Sequence, residues 1–173
     1  MSGSVFLVGP MGAGKSTIGK RLAQLLNWPF IDSDSEIEQR AGATIPWIFE
    51  REGEASFRAR EKQVIDELTQ RSHIVLATGG GAILDPDNRQ CLHTRGLAVY
   101  LRTSVHEQLR RTRGDRNRPL LQTADPRARL EQLYQVRHPL YEQTAHLVID
   151  TDSQQVRQVA QQIVLHLQDA TKL

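Results

Sequence analysis

The sequence predicts an α/β fold: a doubly wound parallel sheet with helices on both faces. Two observations carry this. Short apolar runs alternate along the chain with segments of helical periodicity, the pattern of βαβ units. The first such junction, residues 9–16, reads Gly-Pro-Met-Gly-Ala-Gly-Lys-Ser, a phosphate-loop pattern in the strand-to-helix context that it requires.

The elements follow in order. Residues 5–8 (Val-Phe-Leu-Val) form a short apolar run ending at Gly9, read as a buried strand. Over 16–26, Ile18, Leu22, Leu25 and Leu26 recur at helical spacing. Residues 29–31 make a second strand, ending at Asp32. Helical patterning returns over 35–40 and, in short pieces, over 46–71, with Val64, Ile65 and Leu68 on one face. A third strand is expected at 73–77, followed by Gly79-Gly80-Gly81, and a fourth at 97–101. A helix is expected over 105–111. Residues 114–125 are polar and rich in breakers, a long loop of the kind that often serves as a lid. Helix is expected again over 127–136, with Pro139 kinking or ending it. The last strand is placed at 146–149 and the last helix at 156–167.

Bulk composition narrows the classes. The chain has 173 residues, 39% hydrophobic and 24% charged, which suits a globular domain with a core. A net charge of +2 does not call for a nucleic-acid partner. One cysteine, Cys91, precludes an internal disulfide and fits a reducing compartment. No apolar run reaches the ~20 residues of a membrane span, and no leader pattern is seen at the N-terminus. The expectation is a soluble cytoplasmic protein that meets neither membrane nor nucleic acid.

The phosphate loop carries the chemistry. Its glycines let backbone N–H groups turn inward around an anion, and the helix N-terminus adds partial positive charge. Lys15 reaches the β- and γ-phosphates, and the Ser16 hydroxyl ligates Mg²⁺. A switch GTPase would add N-K-x-D and D-x-x-G; neither string occurs. The third strand carries no acid at its tip, so a carboxylate on the metal side must come from Asp32 or Asp34. Both sit just past the second strand, at the carboxyl edge where open sheets bind ligands. One can orient metal-bound water while the other holds a substrate hydroxyl. Asp32 also suits a helix N-cap.

Taken together, the motifs closely resemble the shikimate kinase family over essentially the whole chain. The resemblance rests on residues 9–17, on Phe30-Ile31-Asp32-Ser33-Asp34, and on Ile48-Phe49 with Gly53-Glu54 and Phe57-Arg58-x-x-Glu61. It rests equally on Thr78-Gly79-Gly80-Gly81, Arg118-Pro119-Leu120-Leu121 and Arg137-x-Pro139-x-Tyr141. It implies a single three-layer P-loop kinase domain with a five-stranded parallel sheet, a substrate segment at about 32–60 and a mobile lid at about 112–125. It implies transfer of the ATP γ-phosphate to the 3-hydroxyl of shikimate, with Mg²⁺, by an enzyme expected to be a monomer. The ATP site would comprise Gly12, Ala13, Gly14, Lys15, Ser16, Thr17, Arg111, Arg118 and Gln154. Arg111 would stack on adenine, Gln154 would line the adenine pocket, and Arg118 would act from the lid. Shikimate would meet Asp34, Arg58, Gly79, Gly80, Gly81 and Arg137; Ser16, and Asp32 through water, would hold the metal. Lys15, Asp34 and Arg118 would be the catalytic set.

The residue chemistry agrees. A cyclic triol bearing a carboxylate wants guanidinium donors at one end, and Arg58 and Arg137 offer them. Glu54 and Glu61 stand close enough in sequence to hold Arg58. Five arginines fall within positions 110–118; without interleaved aromatics they do not read as a nucleic-acid patch. A gluconate kinase is the alternative enzyme, and the set of Asp34, Arg58, Gly80 and Arg137 favours the cyclic acid. A catalytically silent nucleotide-binding module is disfavoured by the intact Lys15, Ser16 and both aspartates.

Overall fold

The computed structural model describes residues 3–113 and 123–172. Five strands, β1 (Val5–Val8), β2 (Phe30–Asp32), β3 (Val75–Ala77), β4 (Leu97–Arg102) and β5 (Leu147–Asp150), form one parallel sheet in the order β2-β3-β1-β4-β5. The strand order reverses at β1, flanked by β3 and β4. A crevice therefore opens beyond its carboxyl end, where Gly9 begins the phosphate loop.

The helices are α1 (Lys15–Leu26), α2 (Ser33–Ala41), α3 (Ile45–Glu52), α4 (Glu54–Leu68), α5 (Pro86–Thr94), α6 (Val105–Thr112), α7 (Pro126–Thr144) and α8 (Val156–Ala170). Strand alternation divides the core. Val5, Leu7, Val75, Val99 and Leu101 face Ile18 and Leu22 of α1 and Val159 and Ile163 of α8. Phe6, Val8, Leu76 and Tyr100 face Ile37, Ile48, Ile65, Leu92 and Tyr141 on the other side. The central strands β1, β3 and β4 are buried on both faces, which explains why their runs read as continuously apolar, while the edge strands β2 and β5 are partly exposed.

Three local expectations change. The third strand begins at Val75, because His73 adopts a left-handed φ of 57° and Ile74 donates its N–H to Ser4 Oγ. Helix α5 was not expected. Asp85 caps it by accepting from Asp87 N and Asn88 N, with Pro86 at its first position. Pro139 does not end its helix: α7 continues to Thr144. Proline costs one backbone hydrogen bond there, but Leu130, Arg137, Tyr141 and Thr144 are all buried. Tertiary packing keeps the segment helical through the break. The expected lid, about 112–125, lies mostly outside the described residues.

Candidate active site

The phosphate loop folds as its glycines demand. Gly12 and Gly14 take φ of 78° and 85°, a region that costs glycine little and other residues more. Lys15 Nζ donates to Gly9 O and Pro10 O, each at 2.7 Å, so its charge stands over the loop. The Ala13 side chain is buried in the core, leaving only its backbone toward the loop, where Ala13 N donates to Pro10 O.

Ser16 and Asp32 meet. Ser16 Oγ donates to Asp32 Oδ2 at 2.8 Å, while Asp32 Oδ1 accepts from Asp34 N and Ser35 N. Asp32 thus caps α2 with one oxygen and reaches Ser16 of the phosphate loop with the other.

A cavity of about 670 Å³ joins these parts. It runs from Gly12, Gly14 and Lys15–Ser16–Thr17 past Asp32 and Asp34 to Thr78, Gly79 and Gly80, with Arg111 at one side. The glycine run is held in place from behind. Thr78 N and Oγ1 donate to Leu7 O, Gly79 N donates to Ser33 Oγ, and Tyr141 Oη donates to Gly80 O.

At two of these positions a Cβ would displace a neighbouring side chain. A Cβ on Gly79 would lie 2.6 Å from Asp34 Oδ1 and 3.1 Å from Glu61 Oε2. A Cβ on Gly81 would lie 2.6 Å from Arg58 Cζ. The Arg58 guanidinium is therefore packed onto bare backbone. Arg137 Nη1 approaches the same run at Gly80, 3.6 Å from where a Cβ would stand. Two arginines from α4 and α7 thus converge on one stretch of backbone.

Their electrostatics are unusual. Arg58 Nη1 pairs with Glu61 Oε1 at 2.8 Å and Nη2 with Glu54 Oε1 at 3.3 Å. Glu61 is 1% exposed. Burial pushes its carboxyl up to about 7, although Arg58 pulls the other way. Arg58 Nε and Glu61 Oε2 are buried without a hydrogen-bond partner among the described residues. Burial also lowers Arg137, which Tyr141 offsets, and raises the Tyr141 phenol to about 12. Arg137 thus stands near Arg58, whose own charge is met by Glu54 and Glu61.

Glu61 yields a pH prediction. Its folded pKa lies above the ordinary 4.5, so its stabilising contribution is complete below about 4.5 and is lost as pH rises through about 7. At ~1.4 kcal/mol per pH unit, a shift from 4.5 to about 7 bounds the change at about 3.5 kcal/mol. The stability difference between wild type and Glu61→Gln is therefore expected to shift between pH 4.5 and 7.5, in favour of the variant at the higher pH. Urea unfolding at both pH values measures this; an identical difference at the two would overturn the assignment.

The nucleotide side is less complete. Arg111 Nη1 donates to Gly12 O at 3.0 Å and its Nη2 to Thr151 O, with Glu107 on Nε. Its guanidinium is thereby fixed across the mouth of the loop. Gln154 follows β5, its amide bonded to Asp150 O and to Gln162, and the cavity-lining set does not include it. Arg118 lies outside the described residues. Sequence reasoning did not assign roles to Ser33, Tyr141 or Thr151; the serine between the two aspartates and the tyrosine of Arg-x-Pro-x-Tyr were the available signals.

A phosphate loop at the switch point, opening into a cavity whose wall includes a glycine run with two arginines beside it, is an architecture found in P-loop small-molecule kinases. The comparisons specify which. The family model described as "SKI: Shikimate kinase" matches residues 11–168, and the chain belongs to the shikimate kinase family. It is 58% identical over 167 residues to shikimate kinase from Burkholderia pseudomallei (strain K96243), covering 96% of this chain and 91% of that protein. It is 59% identical over 164 residues to that of Halorhodospira halophila, covering 95% and 93%. Among solved structures, shikimate kinase from Acinetobacter baumannii in complex with shikimate superposes with a TM-score of 0.95 at 53% identity, covering 100% of this chain and 96% of that one. Shikimate kinase from Aquifex aeolicus gives 0.83 at 32%, covering 97% and 98%. A gluconokinase from Sinorhizobium meliloti shares the fold alone, at 0.57 and 16% identity.

Proposed function

We propose that this chain transfers the γ-phosphate of ATP to the 3-hydroxyl of shikimate, giving shikimate 3-phosphate and ADP. The observation that carries the reading is the shared cavity: phosphate loop at one end, Asp34 and the arginine-backed glycine run at the other. ADP release with and without shikimate tests it. Release that does not depend on shikimate, or that gluconate stimulates equally, overturns it.

The residues divide the work. Backbone N–H groups of residues 12–17 and Lys15 take the phosphates. Asp34 holds the acceptor hydroxyl, and with a loose transition state little base catalysis is asked of it. Arg58 and Arg137 hold the carboxylate, with Gly79, Gly80 and Gly81 allowing close approach. Arg111 and Gln154 take the adenine side, and Arg118 acts from a lid at about 112–125. The stretch of about 32–60, which spans the end of β2, α2, α3 and the start of α4, is the substrate segment of a single catalytic domain.

Mg²⁺ fits the donors present. The Ser16 hydroxyl and Asp32 carboxylate stand together at the phosphate end of the cavity, hard oxygens of the kind Mg²⁺ takes. Among the described residues no cluster of three His, Cys, Asp or Glu side chains could hold a metal. Sharing with substrate phosphates and water suits Mg²⁺. Bound there, the ion neutralises charge on the transferring phosphates.

A cytoplasmic monomer without membrane or nucleic-acid partners completes the proposal. The near-balanced charge and single cysteine support it. Among the described residues no helix is long and apolar enough to cross a membrane.

Removing either Arg58 or Arg137 strips a charge-assisted pair worth roughly 1.5–3 kcal/mol, about 10- to 150-fold in shikimate affinity. Arg58→Ala is expected to lose this affinity while ATP binding is nearly untouched. A shikimate analogue lacking the carboxylate should bind wild type poorly and lose little more in the variant. Equal losses for analogue and shikimate would show that Arg58 does not read the carboxylate.

A further inference from the structure

Helix α7 carries Arg137 across a defect. Pro139 has no N–H to give to the carbonyl of Gln135, so the turn holding Arg137 lacks one backbone tie. Beside this gap a chain of side chains crosses from α7 to the sheet. Tyr100 on β4 is fully buried, and its hydroxyl lies 2.8 Å from His138 Nδ1. His138 Nε2 lies 3.1 Å from Glu142 Oε1, and the imidazole stacks on Tyr134 at 4.6 Å.

A carboxylate only accepts, so the ring nitrogen facing Glu142 is assigned the proton and Nε2–H donates to it. In the neutral ring Nδ1 is then the acceptor. Tyr100, whose phenol burial pushes well above its usual range, supplies the O–H. The chain runs from tyrosine through histidine to glutamate, with every donor matched to an acceptor.

We infer that Tyr100, His138 and Glu142 form a positioning device that fixes the proline-interrupted turn of α7 on β4 and so sets the Arg137 guanidinium against Gly80. On one side of Pro139, His138 is tied to the sheet. On the other, Tyr141 donates to Gly80 O, and its ring lies 4.9 Å from that of Tyr100. Arg137 is adjacent to one tie and one helical turn from the other. None of the three residues need touch a substrate; they act through Arg137. The inference rests on the proposed role of Arg137 in holding the acceptor carboxylate.

The test uses Tyr100→Phe, which removes only the hydroxyl, His138→Leu, and the double variant. Each single change is expected to weaken shikimate binding roughly 5- to 10-fold, the scale of one neutral hydrogen bond. kcat at saturation and ATP affinity should stay close to wild type. The double variant should lose no more than the worse single one, because both break one chain. The analogue without the carboxylate should bind all variants as it binds wild type. Lowered thermal stability with unchanged shikimate affinity would make the chain merely structural and overturn the inference, as would equal losses for shikimate and the analogue. Arg137→Ala separates the two ideas. If it alone loses affinity, the positioning role fails and the carboxylate role stands. If neither it nor the others does, the carboxylate role of Arg137 fails, and the inference with it.

Discussion

Lys15→Ala is expected to lower kcat by about 10³-fold or more while leaving the fold intact, the scale of removing a preorganised cation from a transferring phosphate. In the structure Lys15 Nζ is held by Gly9 O and Pro10 O. These contacts hold the ammonium group over the loop, at the position from which a Walker-type lysine meets β- and γ-phosphate oxygens. The loop around it is shaped by Gly12 and Gly14 and by the core packing of Ala13 and Ile18, none of which needs the ammonium group. Loss of turnover with unchanged circular dichroism and thermal midpoint is the expected pair of results. Near-wild-type ADP release by a folded variant would remove the ATP site from this loop.

Arg118→Ala is expected to have a comparable effect on kcat, about 10³-fold or more, the range known for an arginine acting on transition-state charge. Arg111 is committed: it bridges Gly12 O and Thr151 O and pairs with Glu107. A second cation for the transferring group must then come from elsewhere, and Arg118 in the Arg-Pro-Leu-Leu motif is the candidate by resemblance. A lid arginine that reaches the phosphate only on closure contributes to the transition state and little to ground-state acceptor binding. Steady-state kinetics with a separate shikimate titration distinguishes the roles. A variant that keeps kcat but loses shikimate affinity would make Arg118 an acceptor residue.

The sheet, the phosphate loop and the family were all legible in the sequence. Strands buried on both faces announce themselves as continuous apolar runs, and Gly-x-x-x-x-Gly-Lys-Ser has one common structural solution. The sequence also brought candidate residues of one cavity into view, because contiguous motifs such as Asp32-Ser33-Asp34 and the glycine triplet fold as units. Local signals failed where distant contacts prevailed. Pro139 left open a kink or an end to its helix; α7 continues through it, with Tyr141 reaching Gly80 and His138 reaching Tyr100, residues about 60 and 38 positions away in sequence. His73 looked like strand until its left-handed backbone placed the start of β3 two residues later.

The state of the charges, by contrast, arises from packing in three dimensions. The sequence pairs Arg58 with Glu61 by spacing on a helix, an exposed ion pair on most surfaces and worth little there. Folding against the glycine run buries Glu61 to 1% exposure and raises its carboxyl to about 7. The same packing brings Arg137, 79 positions away, to the same backbone. Burial and the meeting of like charges are properties of three-dimensional neighbours, and no periodicity along a chain encodes them.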